Sequence, residues 1–390
     1  MAKLKSIARN VRIWIWALFV CGPWIAFSTT NAFSVVSFSA SRISRRLTSP
    51  VHVPKVSRLY QAAASLSGEE INQRLQQTLA RLREKDRQSK ALQPSDLKIV
   101  HEDEHIIVVD KPSGVLTVPS DKNVPSLAQA VFDHCQPTEV TLDQMVVHRL
   151  GMDTSGLIVL AKTMDTVRQM NALFRTRKIT RQYEALVVGH LPQHGGLISL
   201  PLMRDYEHPP YMRVSTEAHQ AALADLDPAV VGKKLLEAPK AAMTHFVVEA
   251  RETLTPDGND DDDEDNVQGL DVSRLTLTSI SGRTHQLNVH LAAVGHPIVQ
   301  DTVYGWQGEA AANGGLETPQ APDGTAASEE LQQAVTAATK KRNMCVHAKY
   351  IRFRHPATKE TGRLTKVVTA SQGGCEARNK QEENTERFAG

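Results

Sequence analysis

Val147-His148-Arg149-Leu150-Gly151-Met152-Asp153-Thr154-Ser155-Gly156-Leu157-Ile158-Val159-Leu160-Ala161-Lys162 joins a polar loop to an apolar run with no break between them. A short apolar stretch bounded by turn residues reads as a buried strand. The Thr-Ser-Gly that precedes it presents several functional side chains at a strand edge. Ser155 stands in Asp-Thr-Ser-Gly. That is not the Gly-x-Ser-x-Gly setting of a hydrolase nucleophile, and no acid and base are placed beside it.

Around this junction, from about residue 97, strand and helix patterns alternate. Ile106–Val109 is a β-branched run that ends in the turn Asp110-Lys111-Pro112-Ser113-Gly114. Further strands are expected at Leu157–Ala161, Tyr183–Val188, Thr244–Ala250, Arg274–Ser279 and Val346–Phe353. Helices are expected at Ser126–Cys135, Thr166–Arg175 and Gln286–Val294. The mixture predicts an α+β domain built on a large, mainly antiparallel mixed sheet with flanking helices. Before it, Ser67 and Glu70 make a capping-box pattern, and Ile71, Leu75, Leu79 and Leu82 share one helical face. Residues 67–96 therefore read as an amphipathic packing helix and a linker.

Five blocks, taken in order, resemble the RluA-type RNA pseudouridine synthases. That family carries His-Arg-Leu-Asp-x-x-Thr-Ser-Gly, an apolar strand and Ala-Lys, and residues 148–162 match every fixed position but the Asp. The other blocks are Lys111-Pro112-Ser113-Gly114 with Val118-Pro119, then Arg181-Gln182-Tyr183-Glu184-Ala185-Leu186. Next come Ser281-Gly282-Arg283-Thr284-His285-Gln286-Leu287 with Gly295-His296-Pro297, and finally Val346-His347-Ala348 with Phe353-Arg354-His355-Pro356. No S4-like segment stands before residue 98, as in the compact members. The resemblance implies the pseudouridine synthase fold with a central cleft over residues 97–372. It also implies an isomerase that turns uridine into pseudouridine in rRNA or tRNA. Such an enzyme flips the base out of the stack, and it uses no metal, nucleotide or redox cofactor. By resemblance Tyr183 stacks on the flipped base, Arg283 pairs with the catalytic carboxylate, and Arg149 fills the gap that the base leaves. His148, Thr154, His285 and Gln286 fall in the same RNA-binding blocks.

The departure is Gly151, which stands at the position of the catalytic Asp. Glycine has no group that acts as nucleophile, base or ion-pair partner. Three readings stay open. Asp153 swings inward to Arg283, using the backbone freedom of glycine. The chain is a catalytically impaired RNA-binding pseudoenzyme, such as an RNA chaperone or assembly factor. Or the glycine reflects a one-base error or strain-specific change. Two further departures are Asn288, where the family usually has Arg, and Gln300, where it usually has Gly before Asp301.

Global charge gives no support for RNA binding. The net charge is +2, but residues 1–68 hold Lys3, Lys5, Arg9, Arg12, Arg42, Arg45, Arg46, Lys55 and Arg58 with no acid, so the rest of the chain is acidic. Any RNA site must be a local patch. Arg168, Arg175, Arg177, Lys178 and Arg181 make one ahead of Tyr183, a setting suited to tracking an RNA backbone. His285 and His290 are five apart, not the four of a zinc-binding helical pair. Cys21, Cys135, Cys345 and Cys375 form no Cys-x-x-Cys pair. Residues 1–32 have the layout of a signal peptide, and 33–66 have the Ser- and Arg-rich composition of a transit peptide. Together they predict a complex-plastid presequence, with a mitochondrial presequence or a membrane anchor as alternatives. Any membrane contact would run through this leader if it is uncleaved. A monomer is expected. Surface insertions are expected at 218–236, 256–269 and 307–340, the second strongly acidic, with a disordered tail at 373–390.

Overall fold

A computed structural model of the protein describes residues 66–224, 226–254, 269–321, 324–356 and 365–369. Apart from Leu66 and Gly269, the two leader segments, the acidic insertion and the tail lie outside the described residues. Among the described residues no helix is long and apolar enough to cross a membrane.

The chain opens on helix α1 (Gly68–Arg87), whose capping box forms as its sequence requires. The Ser67 hydroxyl accepts the Glu70 N–H at 3.3 Å, and the Glu70 carboxylate accepts the Ser67 N–H at 2.8 Å. Ile71, fully buried, packs against Val231 and Leu235. There follow β1 (Ile99–Glu102), β2 (Ile106–Lys111), α2 (Leu127–Cys135), α3 (Leu142–Met145), β3 (Ser155–Ala161), α4 (Met164–Arg175) and β4 (Thr180–Val188). Next come β5 (Gly195–Ile198), β6 (Leu202–Arg204), β7 (Met212–Val214), α5 (Glu217–Ala224) and α6 (Pro228–Val231). The last elements are β8 (Thr244–Leu254), β9 (Leu270–Ser279), α7 (Gln286–Ala293), α8 (Glu329–Ala338), β10 (Val346–Arg354) and β11 (Thr365–Thr369).

The main sheet runs β1-β2-β3-β10-β4-β9-β8-β5, with β11 on β10. Every pairing is antiparallel except β10 with β3, which is parallel. This is the expected α+β architecture. Leu157 to Ala161 are all buried, because β3 lies in the middle of the sheet and is covered on both faces. Gly156 has φ +110°, and a Cβ there would stand 2.4 Å from the Ala348 carbonyl oxygen. The glycine of Thr-Ser-Gly is what lets β10 close on β3.

Two of the three insertions are more than surface. The 218–236 stretch forms most of α5 and all of α6, and it docks on α1 through Val231 and Leu235. The 307–340 stretch buries Ala310 and Val335 in two separate apolar clusters. Its polar, Ala- and Gly-rich composition hides this. Gly315 approaches Arg213 so closely that a Cβ would meet Nε at 2.6 Å, and α8 turns only one side chain, Val335, fully inward.

Candidate RNA-binding and catalytic cleft

The loop between α3 and β3 is fixed from outside. The Thr117 hydroxyl donates to the Leu150 carbonyl at 2.8 Å and accepts the Leu150 N–H at 3.2 Å. Gly114 N–H and Lys111 Nζ both donate to the Met152 carbonyl at 3.0 Å. The Ser113 hydroxyl donates to the Asp153 carbonyl at 2.8 Å. Lys111 itself is fully buried, and its other donors meet the Pro112 and Val115 carbonyls at 3.0 and 2.7 Å. Burial pushes its ammonium down to about 7, with the Asp153 charge opposing. The role of Lys111, Ser113 and Thr117 as a frame for this loop was not read from sequence. The only signal was that they fall in or just after the upstream block.

The frame decides where Asp153 goes. Its carboxylate is 2.8 Å from Lys85 Nζ on α1, in a pair more than a third exposed on both sides. It does not meet Arg283, whose Nε donates instead to the Ala241 carbonyl at 3.1 Å. Of the three readings of Gly151, the inward swing of Asp153 to Arg283 is the one this geometry does not show. The flexible glycine lies inside a segment whose backbone is held at Leu150, Met152 and Asp153. Gly151 is exposed and has no left-handed φ, and a Cβ there would meet only the Thr154 hydroxyl, at 3.4 Å. Nothing in the backbone requires glycine.

Beyond this loop lies a cleft of about 420 Å³ whose lining includes Arg149, Arg175, Arg177, Arg181 and Arg283, and no carboxylate. Arg177, Arg181 and Arg283 each have a structural support. α4 ends on Thr176, whose N–H returns to the Ala172 carbonyl, while Lys178 N–H reaches the Leu173 carbonyl at 2.9 Å. Between them Arg177 takes φ +55°, the left-handed position that usually falls to glycine. Arg181 lies over the Phe174 ring, 5.8 Å from its centroid, a cation–π contact. Gly282 makes room for it, since a Cβ there would stand 2.7 Å from an Arg181 guanidinium nitrogen. Arg149 is exposed, and Lys178 is exposed outside the lining.

The remaining candidates divide. Tyr183, 8% exposed, sits in the main core, two residues from Arg181 on the same face of β4. His148 lines the cleft, but its Nε2 accepts the Val159 N–H at 2.9 Å. Burial, with the Arg181 charge second, pushes its pKa down to about 3, so the ring is neutral at pH 7. Thr154 closes the loop by donating its N–H to the Gly151 carbonyl at 3.2 Å. His285 Nδ1 meets the Tyr304 hydroxyl at 2.8 Å. Desolvation of its ring nitrogens, with Arg204 second, holds its pKa at about 4, although the residue keeps exposed surface. Gln286 is corrected from RNA contact to scaffold. It is buried, its Oε1 accepts from Ser281 Oγ and Arg283 N–H, and its Nε2 donates to the Met243 carbonyl and Thr244 Oγ1. It thereby sets the turn that carries Arg283.

Known relatives fit this frame. A family model for RNA pseudouridylate synthase matches residues 105–293. The dual-specificity RNA pseudouridine synthase RluA of Pasteurella multocida is 31% identical over 274 residues, covering 68% of this chain and 92% of that protein.

The chain belongs to the RNA pseudouridylate synthase family, as an RluA-type member.

The ribosomal large subunit pseudouridine synthase D of Escherichia coli K12 is 31% identical over 267 residues, 68% of this chain and 65% of that one. The structure of human RNA pseudouridylate synthase domain containing 1 is 22% identical, with a TM-score of 0.46 over 73% of this chain and 86% of that one. Within the family frame, both small departures have structural partners. Gln300 keeps the left-handed φ of +61° that glycine favours, and its amide donates to the Thr336 carbonyl at 2.7 Å and Thr339 Oγ1 at 2.8 Å, at the end of α8. Asn288 Nδ2 donates to the buried Asp301 at 2.8 Å, a hydrogen bond without the neutralising charge of an arginine. Burial raises the Asp301 pKa accordingly.

One trade-off follows from Arg177. Replacing it with glycine relieves a left-handed backbone conformation that costs a side-chain-bearing residue about 1 kcal/mol. Arg177→Gly is expected to raise the urea midpoint while weakening RNA binding, and equilibrium unfolding beside a binding titration checks both signs.

Proposed function

We propose that the protein is an RNA pseudouridine synthase that takes a uridine of structured rRNA or tRNA into the arginine-lined cleft. Converting uridine breaks the C1′–N1 bond and rejoins the base through C5, so the base must leave the stack, at roughly a few kcal/mol. The cleft supports that step by holding the flanking phosphates and presenting Arg149 and Arg283 around the base, with Tyr183 in the core beneath Arg181 and outside the lining. What it lacks is a carboxylate at 151, so the chain supplies binding and orientation and turns over slowly. The observation that carries the reading is the convergence of five arginines on one cleft, beside a loop that matches the family motif at every other fixed position.

The test is binding of a uridine-containing RNA hairpin at several salt concentrations. Arg175→Ala with Arg177→Ala is expected to flatten the slope of log affinity against log salt by about 1.4–1.8, two phosphate contacts' worth. An unchanged slope would remove the cleft from RNA binding. From the composition of residues 1–66 we also propose import into a plastid. A fluorescent protein fused behind those residues that collects in mitochondria or at a membrane would count against it.

A further inference from the structure

A second hollow, of about 220 Å³, adjoins the first and shares Gly282 and Arg283 with it. Its far side is lined by Arg204, Glu237 and Lys240. Lys240 bonds Glu237, and the Lys240, Arg204 and Lys234 charges together hold the Glu237 carboxyl below its ordinary range. Among the lining side chains one acid therefore stands with three cations, Arg204, Lys240 and Arg283, and Lys234 lies outside the lining but close enough to act on Glu237. The shelf that carries them is anchored. Lys240 exchanges both backbone hydrogen bonds with Leu202, at 2.8 and 3.0 Å. Leu235, beside Lys234, is 5% exposed and packs on Ile71 of α1. Arg283 lines both hollows, and its Nε is held by the Ala241 carbonyl at 3.1 Å.

We infer that this shelf, built by the 218–240 segment and braced by α1, is a second RNA subsite that holds the backbone of the strand running on from the target uridine. The inference rests on the reading of the arginine cleft as the RNA site. Two observations favour an RNA strand as its occupant. The hollow continues the cleft through Arg283, and the excess of positive charge includes the exposed Lys234 and Lys240 and the half-buried Arg204 and Arg283, placed to meet phosphates. Glu237, as the one acid, moderates that attraction.

The experiment compares three variants in salt-dependent binding of one uridine-containing hairpin of about 20 nucleotides. Lys234→Ala with Lys240→Ala is expected to weaken binding about tenfold at low salt and to flatten the salt slope by about 1.4–1.8. Glu237→Gln is expected to tighten binding a few-fold, an opposite sign that loss of fold would not produce. Lys340→Ala with Lys341→Ala, on exposed lysines that follow α8, should leave binding unchanged. If the shelf variants bind like wild type while Arg175→Ala/Arg177→Ala still weakens binding, the shelf inference falls and the cleft stands. If none of them changes binding, the cleft reading falls as well.

Discussion

Gly151→Asp is expected to raise uridine isomerisation by a factor on the order of 10³ or more, read as tritium release from RNA labelled at uridine C5. The direction follows from chemistry, since an ionised carboxylate supplies a nucleophile or base where the chain now has none. The magnitude follows from what is already in place. The loop backbone is held at Leu150, Met152 and Asp153, so a new side chain at 151 inherits a fixed direction. Space is not limiting, because the nearest atom to a Cβ is the Thr154 hydroxyl at 3.4 Å, itself a fitting donor to a carboxylate. Stability should change by no more than about 0.5 kcal/mol, as for an unstrained surface substitution. Asp153→Asn should leave the rate where it is, because that carboxylate is turned to Lys85. A gain from Gly151→Asp that vanishes with Asp153→Asn would show that the loop rearranges after all.

Lys111→Met is expected to destabilise the fold by roughly 3 kcal/mol and to abolish the effect of an added carboxylate. Replacing a buried charge with an apolar side chain can be neutral when the partners go with it. Here the partners are backbone carbonyls that stay: those of Pro112 and Val115 lose the Lys111 donor, while that of Met152 keeps the Gly114 N–H. Each bare buried acceptor costs about 1–3 kcal/mol, offset in part by relief of the buried ammonium. The same residue sets a pH dependence. Its folded pKa is about 7, below the unfolded value, so between about pH 7 and pH 10 the unfolded chain binds more protons. Stability should therefore rise with pH across that window in wild type, and that rise should be missing in Lys111→Met. Urea midpoints at pH 7 and pH 9 for both proteins check it.

Much of this fold is legible in the sequence. Apolar runs such as Leu157–Ala161 and Ala185–Val188 mark central strands, because they are too short for a helix and are bounded by the turn residues Gly156 and Gly189. The Arg175–Arg181 cluster is visible because a helix end and a strand start bring near neighbours in sequence to one cleft. Arg283 joins them across more than a hundred positions, and only the family motif pointed to it. The edge strands β5, β6 and β7 went unread, since runs of three or four residues carry too little pattern. The 307–340 stretch looked like surface because its few large apolar residues, Leu316, Leu331 and Val335, are scattered among small and polar ones. Gln286 looked like a contact residue because a motif reports that a position matters without saying whether it touches RNA or holds the residue that does. The place of Asp153 stayed open for a related reason. Its partner, Lys85, lies on a helix that sequence could describe but not dock.

The most direct test of the central claim, that the cleft is a uridine isomerase site limited by the residue at 151, is a carbodiimide-based pseudouridine map. RNA from the same cells would be incubated with wild-type protein and with Gly151→Asp. The account predicts modification of the same uridine by both, with wild type slower by a factor on the order of 10³. Equal rates for the two proteins, or no modification by Gly151→Asp while it still binds the RNA, would contradict it.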